Sequence, residues 1–111
     1  MTSDHYTVSK SAKADHDLRT LADYVARGRS LDDAVALVDA ARGKIEALEQ
    51  FPKRGSVPEK GRAFGETDFR QVFVGRYRIL HLVENNKVTI TMVADGSRDI
   101  FALPKRRLTS G

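Results

Sequence analysis

The longest regular pattern in the chain is an alternation of apolar and polar positions between residues 68 and 95. Two alternating runs meet at Glu84-Asn85-Asn86-Lys87, and asparagine tolerates the positive φ that a tight hairpin turn needs. A third strand, from about Phe69 to Val74, joins through Gly75-Arg76. The pattern therefore predicts an antiparallel three-stranded meander. Counting outward from the turn gives the pairs Glu84–Lys87, Val83–Val88, Leu82–Thr89, His81–Ile90, Ile79–Met92 and Tyr77–Ala94.

This pairing divides the side chains between two faces of the sheet, because successive residues of a strand point to opposite sides. One face is apolar enough to be a core, and we expect helices to cover it. It collects Tyr77, Ile79, His81, Val83, Val88, Ile90, Met92 and Ala94. The second face is mixed, and it collects Arg78, Leu80, Leu82, Thr89, Thr91 and Val93.

Two helices are predicted ahead of the meander from apolar residues at intervals of three and four. Ser11 and Ser30 are the expected N-caps, Gly28 the end of the first helix, and Phe51-Pro52 the end of the second. Their short link predicts an antiparallel helical hairpin. The buried stripes are Ala14, Leu18, Leu21 and Val25, then Ala34, Val38, Ala41, Ile45 and Leu48.

A short β-prone run at residues 5–9 completes the order β-α-α-β-β-β. The predicted fold class is α+β: a small antiparallel sheet with a helical hairpin packed on one face. The 111 residues form one domain, 1–111, with room for one modest core and a basic tail at about 104–111.

Charge and composition narrow the function. The net charge is +4, and it is uneven: residues 1–50 carry 7 Lys and Arg against 9 Asp and Glu, whereas residues 51–111 carry 12 against 6. The basic half suggests an acidic partner, with solvated surface charge as the alternative. The absence of cysteine and the three scattered histidines argue against a metal site, and we expect no cofactor. No apolar run approaches a membrane span and no apolar signal region begins the chain, so we expect a cytoplasmic protein.

Several short motifs occur in order along the chain. They are Tyr6-Thr7-Val8-Ser9, Asp17-Leu18 with Tyr24, Phe51-Pro52-Lys53-Arg54-Gly55, Phe69-Arg70, Arg76-Tyr77-Arg78-Ile79-Leu80 and Arg98-Asp99. Together they resemble the ParE/RelE superfamily of toxins from type II toxin–antitoxin systems, and specifically its ParE-like, "plasmid stabilisation" branch. The resemblance covers about residues 5–103 and implies an antitoxin that wraps and neutralises the toxin. RelE-like members cut mRNA on the ribosome, whereas ParE-like members poison DNA gyrase.

The distribution of acid–base residues favours the gyrase-directed branch. RNA cleavage by a 2′-hydroxyl needs a proton acceptor or donor beside cations, and the chain beyond Asp99 has neither tyrosine nor histidine. His81 is the one histidine in the predicted sheet, and its apolar face fits a core residue better than a catalyst. We therefore predict no catalytic residue and a growth-arresting toxin that inhibits gyrase by direct binding, neutralised by a ParD-like antitoxin. A RelE-like ribosome-dependent mRNA endoribonuclease and an inactive member that only binds its antitoxin stay open as alternatives.

The resemblance also suggests two binding surfaces in a heteromeric toxin–antitoxin complex. For the target we predict Arg78, Arg98, Lys105, Arg106 and Arg107. The alternative for Arg78 is an arginine whose stem packs over Leu80, and for Arg98 a structural role in which a carboxylate or backbone carbonyls hold it. For the last three the alternative is a solvated tail. For the antitoxin we predict Leu31 and Val35, as small apolar groups off the buried helical stripe, and Leu80 and Leu82 on the mixed face of the sheet.

Overall fold

The computed structural model describes residues 6–52 and 69–98. Its elements follow the predicted order β-α-α-β-β-β, which confirms the α+β class. Neither helix in these two ranges is long and apolar enough to cross a membrane. The elements are β1 (Thr7–Lys10), α1 (Ala12–Gly28), α2 (Leu31–Ala47), β2 (Phe69–Val74), β3 (Tyr77–Glu84) and β4 (Lys87–Asp95).

The strands form one sheet in the order β1-β4-β3-β2. Strands β2, β3 and β4 make the predicted antiparallel meander, whereas β1 pairs in parallel with β4, so the complete sheet is mixed. The backbone N–H of Thr7 donates to Asn86 O at 2.9 Å and that of Ser11 to Ile90 O at 2.9 Å. These bonds hold the two ends of β1. Because β1 ends opposite Ile90, the rest of β4 has β3 on one side and no strand of the described residues on the other.

Both hairpin turns use a residue in the left-handed region. Asn85 has a φ of 52° and Gly75 a φ of 57°, at the two positions where the sequence predicted turns. Asparagine and glycine reach this region with little strain. From the Asn85 turn the register is the predicted one as far as His81 opposite Ile90.

A β-bulge then changes the register and corrects part of the prediction. Leu80 pairs with Met92, so Thr91 is an extra residue in β4. The predicted pairs Ile79–Met92 and Tyr77–Ala94 are wrong: Ile79 lies opposite Val93, and Tyr77 opposite Asp95. A shift of one residue exchanges the faces. Val93 therefore joins the core under the helices, and Met92 and Ala94 lie on the other face.

The helices begin where the sequence predicted. Ser11 Oγ accepts a hydrogen bond from the N–H of Ala14 at 3.0 Å, and Ser30 Oγ accepts one from Asp33 at 3.0 Å. These bonds satisfy N–H groups that have no partner within the helix. Helix α1 ends at Gly28 as predicted, whereas α2 ends at Ala47, ahead of the predicted boundary at Phe51-Pro52.

Apolar residues are buried on both faces of the sheet. The first core lies between the sheet and the helices, and Ile79 is fully buried there, while Ile45 and Leu21 pack against it and are partly buried. Its buried members are Ala14, Leu18, Ala41, Leu48, Val72, Ile79, Val83, Val88, Ile90 and Val93. The second cluster lies on the opposite face and consists of Phe69, Leu80, Leu82, Met92 and Ala94.

Helix α1 replaces the missing strand beside the second half of β4. The carboxylate of Asp17 accepts a hydrogen bond from the backbone N–H of Val93 at 3.1 Å. Ser11 Oγ donates to the carbonyl of Thr91 at 3.4 Å, directly at the bulge. Asp17 also pairs with Lys13 at 3.0 Å, one turn earlier on the same helix. The side chains of α1 thus cap backbone groups that an edge strand would otherwise leave unpaired.

Candidate functional site

A cleft of about 1090 Å³ opens between the tip of the helical hairpin and the turn that joins β2 to β3. Its apolar lining includes the buried Val25 and the half-buried Leu37, Val74 and Tyr77. Tyr24 lies at its border with 72% of its surface exposed. The complete lining is Thr20, Asp23, Tyr24, Val25, Arg27, Gly28, Arg29, Asp33, Ala36, Leu37, Ala40, Val74, Gly75, Arg76 and Tyr77.

Leu31 and Val35 form a separate apolar patch on α2. They stand four residues apart, one helical turn, with 71% and 51% of their surfaces exposed. Neither residue lines the cleft. Both of these predicted antitoxin-binding residues are therefore accessible to a partner.

The other two residues predicted to bind the antitoxin are in a different environment. Leu80 is 0% exposed and Leu82 is 7% exposed, within the second apolar cluster. The prediction treated this face of the sheet as open, and their burial corrects it. Neither side chain presents a surface that a partner could contact.

The end of the sheet carries a second candidate surface, which we call the arginine turn: Asp95–Arg98 together with Arg76 and Arg78. The Asp95 carboxylate contacts Ser97 and Arg76 on its outer side. The N–H and hydroxyl of Ser97 donate to Asp95 Oδ1 at 2.9 and 2.7 Å, and Arg76 Nη2 lies 2.8 Å from Asp95 Oδ2. Hydrogen bonds from the Ser97 backbone and hydroxyl, followed by the charge of Arg76, hold the pKa of the Asp95 carboxyl below its usual value.

Arg78 organises the inner side of the arginine turn. Its Nη2 donates to the carbonyl of Gly96 at 2.8 Å, and its guanidinium carbon lies 6.0 Å from the centre of the Phe73 ring. Arg78 is half-buried, whereas Phe73 is 43% exposed. The guanidinium that the sequence predicted as a target contact is thus engaged within the chain.

Of the other predicted target contacts, one lies within the described residues and three lie outside them. Arg98 is exposed, and its backbone N–H donates to Asp95 O at 3.0 Å. The remaining three, Lys105, Arg106 and Arg107, lie outside the described residues.

His81 occupies a core position, as its alternation predicted. It is 0% exposed, and its Nε2 lies 3.2 Å from the carbonyl of Pro52 at the end of the helical hairpin. Within residues 6–52 and 69–98, no group of three or more His, Cys, Asp or Glu side chains is placed to hold a metal ion.

The sequence prediction missed the cleft, although it contained one signal for it. Tyr24 is a large aromatic residue in α1 that falls outside the buried stripe of Leu18, Leu21 and Val25. A large apolar group off the stripe indicates a surface that can be covered by a partner. The contribution of the β2–β3 turn gave no comparable signal, because it depends on how the hairpin is placed over the sheet.

Comparison with known proteins gives two matches. The family model described as ParE toxin of type II toxin-antitoxin system, parDE, matches residues 8–100. Among solved structures, a chain from the chromosomal ParDE TA system of P. aeruginosa superposes with a TM-score of 0.66 at 15% sequence identity, over 84% of this chain and 98% of that one. At this identity the second match shows a shared fold. No curated protein sequence matches the chain significantly.

Proposed function

The chain belongs to the ParE toxin family of type II toxin–antitoxin systems, and from this premise we propose that it arrests growth by binding DNA gyrase directly. A ParD-like antitoxin neutralises it in a heteromeric complex. Gyrase acts on chromosomal DNA, so the toxin works in the cytoplasm.

The antitoxin surface that we propose combines the Leu31–Val35 patch with the cleft. The patch and the α2 side of the cleft lie within the first ten residues of α2, since Leu31 and Ala40 are nine residues apart, or about 13 Å along a helix. An amphipathic helix of the antitoxin can therefore cover the patch while the adjoining segment enters the cleft. Tyr24, with its ring mostly exposed at the border, supplies the aromatic contact that such interfaces favour.

The target surface that we propose is the arginine turn with the basic residues that follow it. Three arginines stand there against the one carboxylate of Asp95, and the exposed Phe73 lies beside them. Arginine and aromatic residues are enriched in protein interfaces, and a basic border speeds association with an acidic partner. Arg98 and the segment Lys105-Arg106-Arg107 are the proposed contacts.

The observation that carries this proposal is that Arg76 belongs to both surfaces. It lines the cleft, and its guanidinium lies 2.8 Å from Asp95 in the arginine turn. An antitoxin segment in the cleft would therefore contact one side of the arginine turn and hinder the target sterically. This arrangement gives neutralisation a simple physical basis.

The experiment is a gyrase supercoiling assay with the purified toxin, alone and with its antitoxin. We expect inhibition by the toxin and recovery of supercoiling with the antitoxin. Truncation after Leu103 should weaken inhibition, because it removes Lys105-Arg106-Arg107, and circular dichroism should show that the fold is intact. Arg98→Met should also weaken it, whereas Arg42→Met, which removes an exposed arginine from α2, is the charge-matched control.

The two alternative functions give different results in parallel assays. Cleavage of ribosome-bound mRNA without an effect on gyrase would overturn the proposal in favour of a nuclease. The burial of His81 supports the present choice, since a side chain with no exposed surface cannot reach an RNA backbone. Antitoxin binding with neither activity would identify an inactive family member.

A further inference from the structure

We infer that Arg78 is a positioning residue, which holds residues 95–98 of the arginine turn in the orientation that presents Arg98 to the target and does not itself contact the target. The inference rests on the proposed role of this end of the sheet in target binding. It replaces the prediction that Arg78 is itself a contact.

Two hydrogen bonds, both made by Gly96, attach residues 95–98 to the β2–β3 hairpin. Arg78 Nη2 donates to the carbonyl of Gly96 at 2.8 Å, and the N–H of Gly96 donates to the carbonyl of Arg76 at 2.7 Å. A hydrogen bond from a charged donor is roughly twice as strong as one between neutral groups. The position of Gly96 therefore follows that of the β2–β3 hairpin.

The space around Gly96 is too small for a side chain. A Cβ at this position would lie 2.9 Å from Arg76 O and 3.2 Å from Cε1 of Phe73. The first distance is too short for a carbon against a backbone oxygen, so any side chain at residue 96 must push the turn away from β3. Glycine is thus required for close approach, and replacing it displaces the turn without touching Arg78.

The placement of Arg78 itself favours a structural contact over a solvent-facing one. Arg78 pairs with Phe73 across the β2–β3 register, and its guanidinium lies over the Phe73 ring. Its Nε is buried with no hydrogen-bond partner in the part of the chain that the structure describes. An arginine that only supplied surface charge would extend its head into water, where every N–H is solvated.

Hydrogen bonds within residues 95–98 link the position of Gly96 to that of Arg98. The N–H of Arg98 donates to Asp95 O, and Ser97 is fixed to the Asp95 carboxylate by two bonds. Residues 95–98 therefore move together. Loss of the Arg78–Gly96 bond is expected to change where Arg98 lies relative to the sheet.

Four variants separate positioning from direct contact. Arg78→Met removes both the charge and the bond to Gly96, while Arg78→Lys keeps the charge and one donor but loses the planar group over Phe73. Gly96→Ala keeps every charge and displaces the turn. Arg42→Met removes a charge elsewhere and serves as the control.

Each variant is measured twice, at a temperature at which circular dichroism shows it folded. The first measurement is the toxin concentration that halves gyrase supercoiling. The second is amide hydrogen exchange at Gly96 and Arg98 by NMR, which requires no target. We expect Arg78→Met and Gly96→Ala to raise the inhibitory concentration about tenfold and to accelerate exchange, with Arg78→Lys intermediate and Arg42→Met unchanged.

The inference holds if loss of protection and loss of inhibition occur together across the variants. It is overturned if Arg78→Met weakens inhibition with exchange unchanged, if Gly96→Ala accelerates exchange with inhibition unchanged, or if Arg78→Met changes neither. A wild-type toxin that leaves gyrase unaffected would refute the proposed function instead. The exchange measurements alone would then decide whether Arg78 holds the turn.

Discussion

Replacing Asp17 with alanine should destabilise the protein far more than its place on a helix surface suggests. The Asp17 carboxylate accepts the backbone hydrogen bond of Val93 at 3.1 Å, beyond the point at which β1 stops pairing with β4. Val93 is only 4% exposed, so water cannot easily take the place of the carboxylate. The alanine variant leaves a buried backbone N–H without a partner.

The magnitude follows from three contributions. Loss of a hydrogen bond to a charged group, which leaves a buried donor unpaired, costs about 1.5–3 kcal/mol in all. The pair with Lys13, whose side chain is 31% exposed, adds only about 0.3–0.5 kcal/mol. Alanine returns about 0.5 kcal/mol through its higher helix propensity. We therefore expect a net loss of about 2 kcal/mol, which lowers Tm by about 6–12 °C in a chain of this size.

The assay is urea denaturation followed by circular dichroism, with two matched variants. Asp23→Ala removes an exposed carboxylate from the same helix, gains the same helix propensity, and should change stability by less than about 0.5 kcal/mol. Asp17→Asn retains an oxygen acceptor without the charge and should recover about half of the loss. Amide exchange at Val93 should accelerate in the alanine variant.

Two results would refute this reasoning. Equal stabilities of Asp17→Ala and Asp23→Ala would mean that the bond to Val93 contributes nothing to folding. An unchanged exchange rate at Val93 would mean that its N–H is protected by another group. In either case α1 would not be the element that completes the edge of β4.

Three further predictions concern the core, the antitoxin surface and the response to acid. Ile79→Ala should cost about 3–5 kcal/mol by urea denaturation, and Ile45→Ala only about 1–2 kcal/mol because Ile45 is partly buried; equal losses would contradict the packing. Val35→Asp should raise the Kd of the toxin–antitoxin complex about tenfold by calorimetry and leave Tm unchanged, since half of this side chain is exposed. An unaltered Kd would remove the patch from the proposed interface. The pKa of the Asp95 carboxyl is lowered in the folded state, so its ionised form stabilises the fold. The wild type should therefore be more stable than Asp95→Asn at neutral pH, and this difference should disappear as the pH falls below about 4. A difference in stability that stays constant across this pH range would contradict the assignment.

The sequence alone determined the elements whose signals are local. Ser11 and Ser30 are N-caps because a hydroxyl at these positions satisfies a helix N–H within three residues. Asn85 and Gly75 mark the two turns because few residues adopt a positive φ without strain. His81 could be placed in the core by counting only four residues from the Asn85 turn. Each of these predictions depends on neighbours in the chain, and each was confirmed.

The tertiary structure decided the register beyond the bulge at Thr91. Met92, Val93 and Ala94 are three consecutive apolar residues, so either register buries apolar side chains on both faces and the alternation cannot distinguish them. Contacts from other elements accompany the shifted register: the Thr91 hydroxyl donates to Leu80 O at 3.5 Å, and Ser11 and Asp17 contact the β4 backbone at Thr91 and Val93. The same two-sided burial explains why Leu80 was predicted to be accessible and is not.

Part of the candidate surfaces could be predicted from the sequence, and part depends on the tertiary structure. Leu31 and Val35 are exposed as predicted, because a helical stripe defines its own outer face from the sequence spacing alone. The cleft, the parallel pairing of β1, and the bond from Arg78 to Gly96 join residues that are 18 or more positions apart. Such contacts are fixed by the packing of whole elements, for which a single sequence carries no local signal. The elements, their order and the antiparallel meander could thus be predicted from local patterns. The parallel pairing of β1 and the hydrogen bond from Arg78 to the Gly96 carbonyl could not.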